Sequence, residues 1–311
     1  MIRKDPGVRI SPSPLCFVIL NRFMNLESKN NPLVSIIVRT KDRPHLLKRA
    51  LNSIFTQTYR PIEVVLVNDF GVDVENVKSQ FESSFPIKYI DLPSVVGRAQ
   101  AANIGLEKAE GEFISFLDDD DLFYKDHIER LAAVLVDSDF QVAYSDAITV
   151  WMRYNEKGGQ LHELRRTALK KEETTDFSYE RLRLENYIPF HSILFRDKLL
   201  KESGGFDSSL SVFEDWDLLI RIGKITPFYH LSSKTCEYFY WVREFDKSYE
   251  DSYRKIIKKH FSDDLGAYVV DSWSLMYRRN LELNKDALRL YTNPFNRVLD
   301  FFLSLKQQLK A

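Results

Sequence analysis

Three short apolar runs in the first half of the chain each stop at polar or acidic side chains. Val34–Val38 precedes Arg39-Thr40, Ile62–Val67 precedes Asn68-Asp69, and Phe113–Leu117 precedes Asp118-Asp119-Asp120-Asp121. Helical patterns separate them. Pro44 opens one through Leu46, Leu47, Ala50, Leu51 and Ile54, a second is expected near Val74–Phe81, and Ile87–Ile90 reads as a strand before a helix over Ala99–Ala109. Strands alternating with helices predict an α/β fold with a mainly parallel sheet flanked by helices, where ligands gather at the carboxyl ends of the strands. Thr40–Arg43, Asn68-Asp69 and Asp118–Asp121 stand at those ends.

The pattern is less regular beyond Val142. Ile148–Tyr154 is strand-like, Glu156–Glu185 is charged, and Ser192–Phe195 is apolar. A helix is expected from about Glu214, a strand over Glu237–Val242, and helices over the remainder. Phe295, Val298, Leu299, Phe302 and Leu305 recur at helical spacing, followed by Lys306 and Lys310. That stripe suits packing on its own domain, a peripheral membrane contact or a homodimer.

Charge and cysteine content narrow the functional classes. A formal net charge of -1 gives no general attraction to polyanions, so nucleic acid is not an expected partner. Cys16 and Cys236 are the only cysteines, which suggests neither a disulfide framework nor a structural zinc site. The apolar stretch Leu15–Leu20 is too short to cross a bilayer and has no cleavage signal after it. The expected location is cytoplasmic, with the inner membrane face as a peripheral alternative. No Gly-x-x-x-x-Gly-Lys loop or Gly-x-Gly-x-x-Gly turn follows the first strand, which disfavours phosphate-loop enzymes and dinucleotide dehydrogenases.

An apolar strand ending in clustered carboxylates invites like-charge repulsion unless a cation or hydrogen bonds relieve it. An oxygen-rich site of this kind suits Mn2+ or Mg2+. A solvated acidic turn capping the helix expected near Lys125 is the plainer alternative.

Four ordered pieces carry a resemblance: Pro32–Pro44, Glu63–Asp69, the Asp cluster, and Gly204-Gly205-Phe206-Asp207 with Glu214–Arg221. Over roughly Pro32–Arg243 the chain resembles family 2 glycosyltransferases of GT-A fold, with a Rossmann-like sheet. The resemblance implies a leader over residues 1–31, a nucleotide-binding half over 32–146, an acceptor half over 147–243 and a helical C-terminal region over 244–311. It implies a nucleotide-sugar donor, with Thr40 and Arg43 along the nucleotide and the Asp69 carboxylate accepting a base N–H, most often from uracil. Taken alone, Asp69 is also a turn-forming residue before Gly71. Asp118 would lie nearer the ribose, with Asp119 beside it on the donor and Asp120 on the metal. Four consecutive Asp residues leave that register open. Asp215 would be the general base of an inverting transfer to a glycan or lipid-linked acceptor, with Glu214 and Trp216 on the acceptor. Asp217, four residues before Arg221, reads as structural.

The chain departs from the family in two places. Ala101-Ala102-Asn103 stands where Ala-Arg-Asn is common, so Arg98 is either the candidate substitute on the donor or a surface residue on the approach to that helix. No Tyr-Arg-x-His follows at Trp241–Asp246, which leaves the last metal ligand unassigned, with His191 and His230 as candidates. These departures motivate a non-catalytic nucleotide-sugar-binding or scaffold protein as the rival reading. A nucleotidyltransferase is the second rival, against which Thr40-Lys41-Asp42-Arg43 is not Gly-rich.

Overall fold

The computed structural model describes residues 31–155, 160–168, 176–241 and 247–261. Strands β1 (Val34–Thr40), β2 (Ile62–Asn68), β3 (Ile87–Asp91) and β4 (Phe113–Asp118) lie parallel in the order β3-β2-β1-β4. The sheet continues through β8 (Ile193–Arg196), β6 (Val142–Asn155) and β9 (Tyr229–Trp241) to the short β5 (Leu122–Phe123), with β7 (Gln160–Ala168) on β6. β8 runs antiparallel to both β4 and β6.

β1 and β2 are buried along their whole length, which explains why their sequences run apolar without alternation. On one face Ile36, Val38, Val64 and Leu66 join Leu47, Leu51 and Ile54 of α1 (Pro44–Phe55) and Leu131 and Leu135 of α4 (His127–Val136). On the other, Ile37, Val65 and Val67 join the small residues Ala99, Ala101 and Ala102 of α3 (Arg98–Lys108). A Cβ at Gly105 would lie 2.5 Å from Ile37 Cγ2, so this glycine lets α3 approach the sheet closely. The helix expected over Val74–Phe81 is the single turn α2 (Glu75–Lys78).

The parallel register brings the strand ends level. Arg39 pairs with Asp118 across β1 and β4, and Thr40 with Asn68 across β1 and β2. The second half adds α5 (Tyr179–Leu184), α6 (Asp197–Glu202) and α7 (Glu214–Gly223), and Glu214 at the start of α7 reaches Arg39 at this end. Phe213, just before α7, adopts a left-handed conformation (φ 63°), which is strained for an aromatic residue. Edge-on packing against Trp216 and Tyr253 holds it there and sets the direction in which α7 begins.

Helix α8 (Lys247–His260) shares the core of α7 through Tyr253, Ile256 and Ile257. Lys259 bridges Asp207 and Asp217, while His260 also contacts Asp217. Asp217 has Arg221 at 2.9 Å as well, and the expected structural role follows from that enclosure. The leader, residues 242–246 and the C-terminal stripe at Phe295–Leu305 lie outside the described residues. Among the described residues no helix is long and apolar enough to cross a membrane.

Candidate active site

Asp118 leaves β4 half-buried, and Arg39 donates to its Oδ1 through Nε (3.1 Å) and Nη2 (2.6 Å). Arg98, the first residue of α3, donates from Nη2 to Asp118 Oδ2 at 3.0 Å. Burial opposes ionisation of Asp118, but the two guanidiniums hold its carboxyl well below the usual carboxylate range.

The next residue turns inward. Asp119 is fully buried, accepting from the Thr40 hydroxyl (2.7 Å) and Arg43 Nε (3.2 Å). Burial, with repulsion from Asp120 and against the pull of Arg43, pushes its carboxyl up to about 7. The donor-binding role expected of Asp119 is therefore corrected: its carboxylate faces the protein and braces the turn. Thr40 is buried with it, its hydroxyl spent on that carboxylate. Arg43 remains partly exposed and reaches Asp120 Oδ2 at 2.7 Å.

Asp121, to which the sequence reading assigned no role, accepts from the Phe239 N–H at 2.8 Å and lies 3.0 Å from His191 Nδ1. Burial pushes its carboxyl up to about 6, partly offset by His191. His191, a candidate metal ligand, is thereby held on a carboxylate. The other candidate, His230, is taken up by Asp146 at 2.7 Å and stacks on Tyr144.

Carboxylate oxygens of Asp118, Asp120 and Asp121 lie within 4.8 Å of one another. This all-oxygen set fits a hard divalent cation such as Mg2+ or Mn2+. Among the described residues, the six carboxyls of Asp118–Asp121, Glu214 and Asp215 outnumber the cationic groups paired with them, the guanidiniums of Arg39, Arg43 and Arg98 and the imidazole of His191.

Asp69 sits at the end of β2, where its carboxylate accepts from Val96 N–H (2.7 Å) and Gly97 N–H (3.1 Å), anchoring the loop that enters α3. Each oxygen retains a second lone pair. Asn68 shapes the adjoining loop by donating to Asp91 Oδ1 and accepting from Gly71 N–H. A Cβ at Gly71 would meet Asn68 Oδ1 and the Asp42 N–H at 2.7 Å, so the two loops close on that glycine.

Glu214 and Asp215 open α7 and differ sharply in their surroundings. Glu214 is buried, with Oε1 accepting from Arg39 Nη1 at 3.0 Å and lying 3.4 Å from Arg98 Nε. Trp216 is fully buried, packs on Tyr253 and donates its indole N–H to the Leu182 carbonyl. The acceptor contacts expected of Glu214 and Trp216 are corrected accordingly: one locks the arginine network and the other belongs to the core. Asp215 is partly exposed. Its Oδ1 accepts from the Trp216 N–H (2.8 Å) and its Oδ2 from Asn186 Nδ2 (3.3 Å). Burial and the neighbouring Glu214, opposed by Arg98, push its carboxyl up to about 6.

Arg39 is the residue the sequence reading missed. It spans Asp118 on β4 and Glu214 on α7 and also donates to the Arg98 carbonyl, joining the two halves of the site. The available signal was a lone charged residue in a strand that is buried throughout. Arg39→Ala is expected to destabilise the fold by about 3 kcal/mol, the order found when one member of a buried ion pair is removed. Arg98 still screens both acids, so Arg39→Ala should fold, with a lower urea midpoint.

The comparisons agree with this geometry. Residues 35–203 match the model described as glycosyl transferase family 2. The chain is 35% identical over 192 residues to the uncharacterized glycosyltransferase YwdF of Bacillus subtilis, covering 61% of this chain and 68% of that one. It is 29% identical over 201 residues to an uncharacterized glycosyltransferase of Rickettsia felis, covering 63% of this chain and 32% of the relative, so it spans about a third of that protein. S. aureus TarS 1–349, solved in complex with UDP-GlcNAc, superposes with a TM-score of 0.58 at 21% identity, over 76% of this chain and 69% of that one. The mannosyltransferase PcManGT from Pyrobaculum calidifontis, solved with GDP-Man and Mn2+, gives 0.54 at 16% identity, over 94% and 87%. These two structures speak for the GT-A fold alone. A family match over more than half of the chain, on a parallel sheet with the acidic turn of β4 at its carboxyl end, shows that the chain belongs to glycosyl transferase family 2.

Proposed function

We propose that the protein is an inverting glycosyltransferase that moves a sugar from a UDP-sugar to an acceptor hydroxyl in polysaccharide or surface-glycan synthesis. The observation that carries this reading is the position of Arg98. Its Nη2 lies 3.0 Å from Asp118 Oδ2 and its Nε 3.4 Å from Glu214 Oε1, so one guanidinium adjoins both the acidic turn and the opening of α7. Residues 32–146 form the nucleotide half and residues 147–243 the acceptor half in this assignment.

Asp118, Asp120 and Asp121 would hold the metal, which when bound supplies Lewis-acid neutralisation of the departing nucleoside diphosphate. Arg98 and Arg43, both part-exposed, offer donors to the diphosphate oxygens. Asp69 accepts the imide N–H of uracil on its remaining lone pairs, whereas the bare N3 of cytosine would meet it unfavourably. Guanine also presents an N–H donor, and the structural neighbours carry UDP-GlcNAc and GDP-Man, so both bases belong in the test.

Asp215 takes the proton of the acceptor hydroxyl as its oxygen forms a bond to the anomeric carbon and the bond to the nucleoside diphosphate breaks on the opposite face. Inversion follows from that geometry. With its carboxyl at about 6, Asp215 is mostly ionised at neutral pH. Protonation removes the base, so kcat/KM is expected to fall about tenfold per pH unit below about pH 6 and to level off above it. A pH–rate profile measured with saturating Mn2+ checks this, and an acid limb that moves with Mn2+ concentration would assign it to the metal carboxylates instead.

Calorimetric binding of UDP, GDP, CDP and dTDP, each with Mn2+ and with EDTA, tests the donor site. The expected result is Mn2+-dependent binding of UDP with CDP weakest. Failure of all four to bind would favour the scaffold reading.

A further inference from the structure

Two arginines meet Asp118 and Glu214, and they are held very differently. The Arg39 side chain is only 10% exposed and spends all three guanidinium nitrogens on Asp118, Glu214 and the Arg98 carbonyl. Arg98 reaches the same two acids from the solvent side. Its side chain is 57% exposed, with Nη2 3.0 Å from Asp118 Oδ2 and Nε 3.4 Å from Glu214 Oε1. A solvent-exposed guanidinium exchanges partners at little cost, whereas withdrawing Arg39 would strip the buried Glu214 of its nearer cation.

The Arg98 backbone, by contrast, is anchored on both sides. The Asp69 carboxylate accepts from the N–H groups of Val96 and Gly97 just before it, and Arg39 Nη1 donates to its own carbonyl at 3.0 Å. Movement is therefore left to the side chain, which swings from a fixed point at the start of α3.

Asp118 Oδ1 accepts twice from Arg39, through Nε and Nη2, which uses both of its lone pairs. A divalent cation on Asp118 must then take Oδ2, the oxygen that Arg98 holds. A second lone pair remains there, so the conflict is one of charge: a guanidinium and a dication on one oxygen repel each other across a few ångströms. A nucleoside diphosphate relieves that conflict. It offers the guanidinium a bidentate partner of higher charge than one carboxylate.

We propose that Arg98 is a built-in competitor of the divalent cation: its guanidinium holds Asp118 Oδ2 until a nucleoside diphosphate draws it away, so that cation and donor bind cooperatively. The proposal rests on the donor-site reading and adds to it a role of Arg98 toward the metal. The cation alone is held weakly and the cation with the nucleotide tightly. By reciprocity, the cation strengthens nucleotide binding by the same factor.

The test titrates the full chain with Mn2+, with and without saturating UDP, and follows the loss of the electron paramagnetic resonance signal of free Mn2+. Arg98→Gln, which removes the charge, is expected to bind Mn2+ without UDP about tenfold more tightly than wild type. A site that was merely disrupted would bind it more weakly. The factor by which UDP tightens Mn2+ binding should fall about tenfold in the same variant. Arg98→Lys, which keeps the charge, should stay within about threefold of wild type in Mn2+ affinity without UDP. Arg98→Met, which keeps the aliphatic stem, takes the place of Arg98→Gln if that variant folds poorly. Unchanged or weaker Mn2+ binding by the uncharged variants without UDP overturns the proposal and leaves Arg98 a diphosphate contact alone. Equal tightening with and without UDP also overturns it, since a charge that stays in place acts on both. Wild-type protein whose Mn2+ binding no concentration of UDP alters brings down the donor-site reading as well.

Discussion

Asp215→Asn is expected to lower kcat by about 10³-fold, within the range that a positioned general base contributes, while Mn2+-dependent UDP affinity stays within about threefold of wild type. The substitution is nearly isosteric, and its amide oxygen still accepts from the Trp216 N–H that Asp215 Oδ1 now engages. What disappears is the ability to take a proton. The introduced amide nitrogen would face the Asn186 Nδ2, so the Asn186 amide is expected to rotate and present its oxygen instead. Parallel calorimetry and steady-state kinetics separate the two effects, and unchanged turnover would remove Asp215 from the base role without touching the fold.

Asp120→Ala should act on the opposite half of the reaction. It deletes a carboxylate from the Asp118, Asp120 and Asp121 set and releases Arg43 Nη1 from its 2.7 Å contact. Mn2+-dependent UDP binding is expected to weaken by about 100-fold or more, with turnover lost alongside it. Asp119 and Asp121 remain anchored by Arg43 and by His191 with the Phe239 N–H, so the turn should keep its shape. In EDTA the two proteins should bind UDP alike. A difference that persists under chelation would mean that Asp120 contacts the nucleotide and not the metal.

Strands that carry their own signal were read closely from the sequence. β1, β2 and β4 are β-branched or aromatic runs with polar residues at their ends, and Pro44 marks the start of α1 within one residue. Strands that depend on distant partners were read late: β6 begins at Val142 and not near Ile148, and β9 at Tyr229 and not Glu237. Their early parts include Ser145, Asp146, Ser232 and Ser233, and the register between them shifts near Asp146, which breaks any alternation visible along the chain. Pairing with each other across the sheet, and of β6 with β8, supplies what local propensity lacks.

The sequence by itself determined the parallel core and the carboxylates at the strand ends, because chain order and local period place those features without reference to anything distant, and its ordered motifs carried the family resemblance. Only the tertiary structure decided which partners each of the adjacent acids meets. Asp118, Asp119, Asp120 and Asp121 are chemically alike in sequence, yet Thr40 and Arg43 draw Asp119 into the interior, His191 holds Asp121, and Asp118 is shared between Arg39 and Arg98. Glu214 and Asp215 likewise part company through Arg39, which lies 175 residues from Glu214. Consecutive residues in a turn or first helical turn point in different directions, and the free energy of each charge is set by partners brought together only when the halves fold against each other.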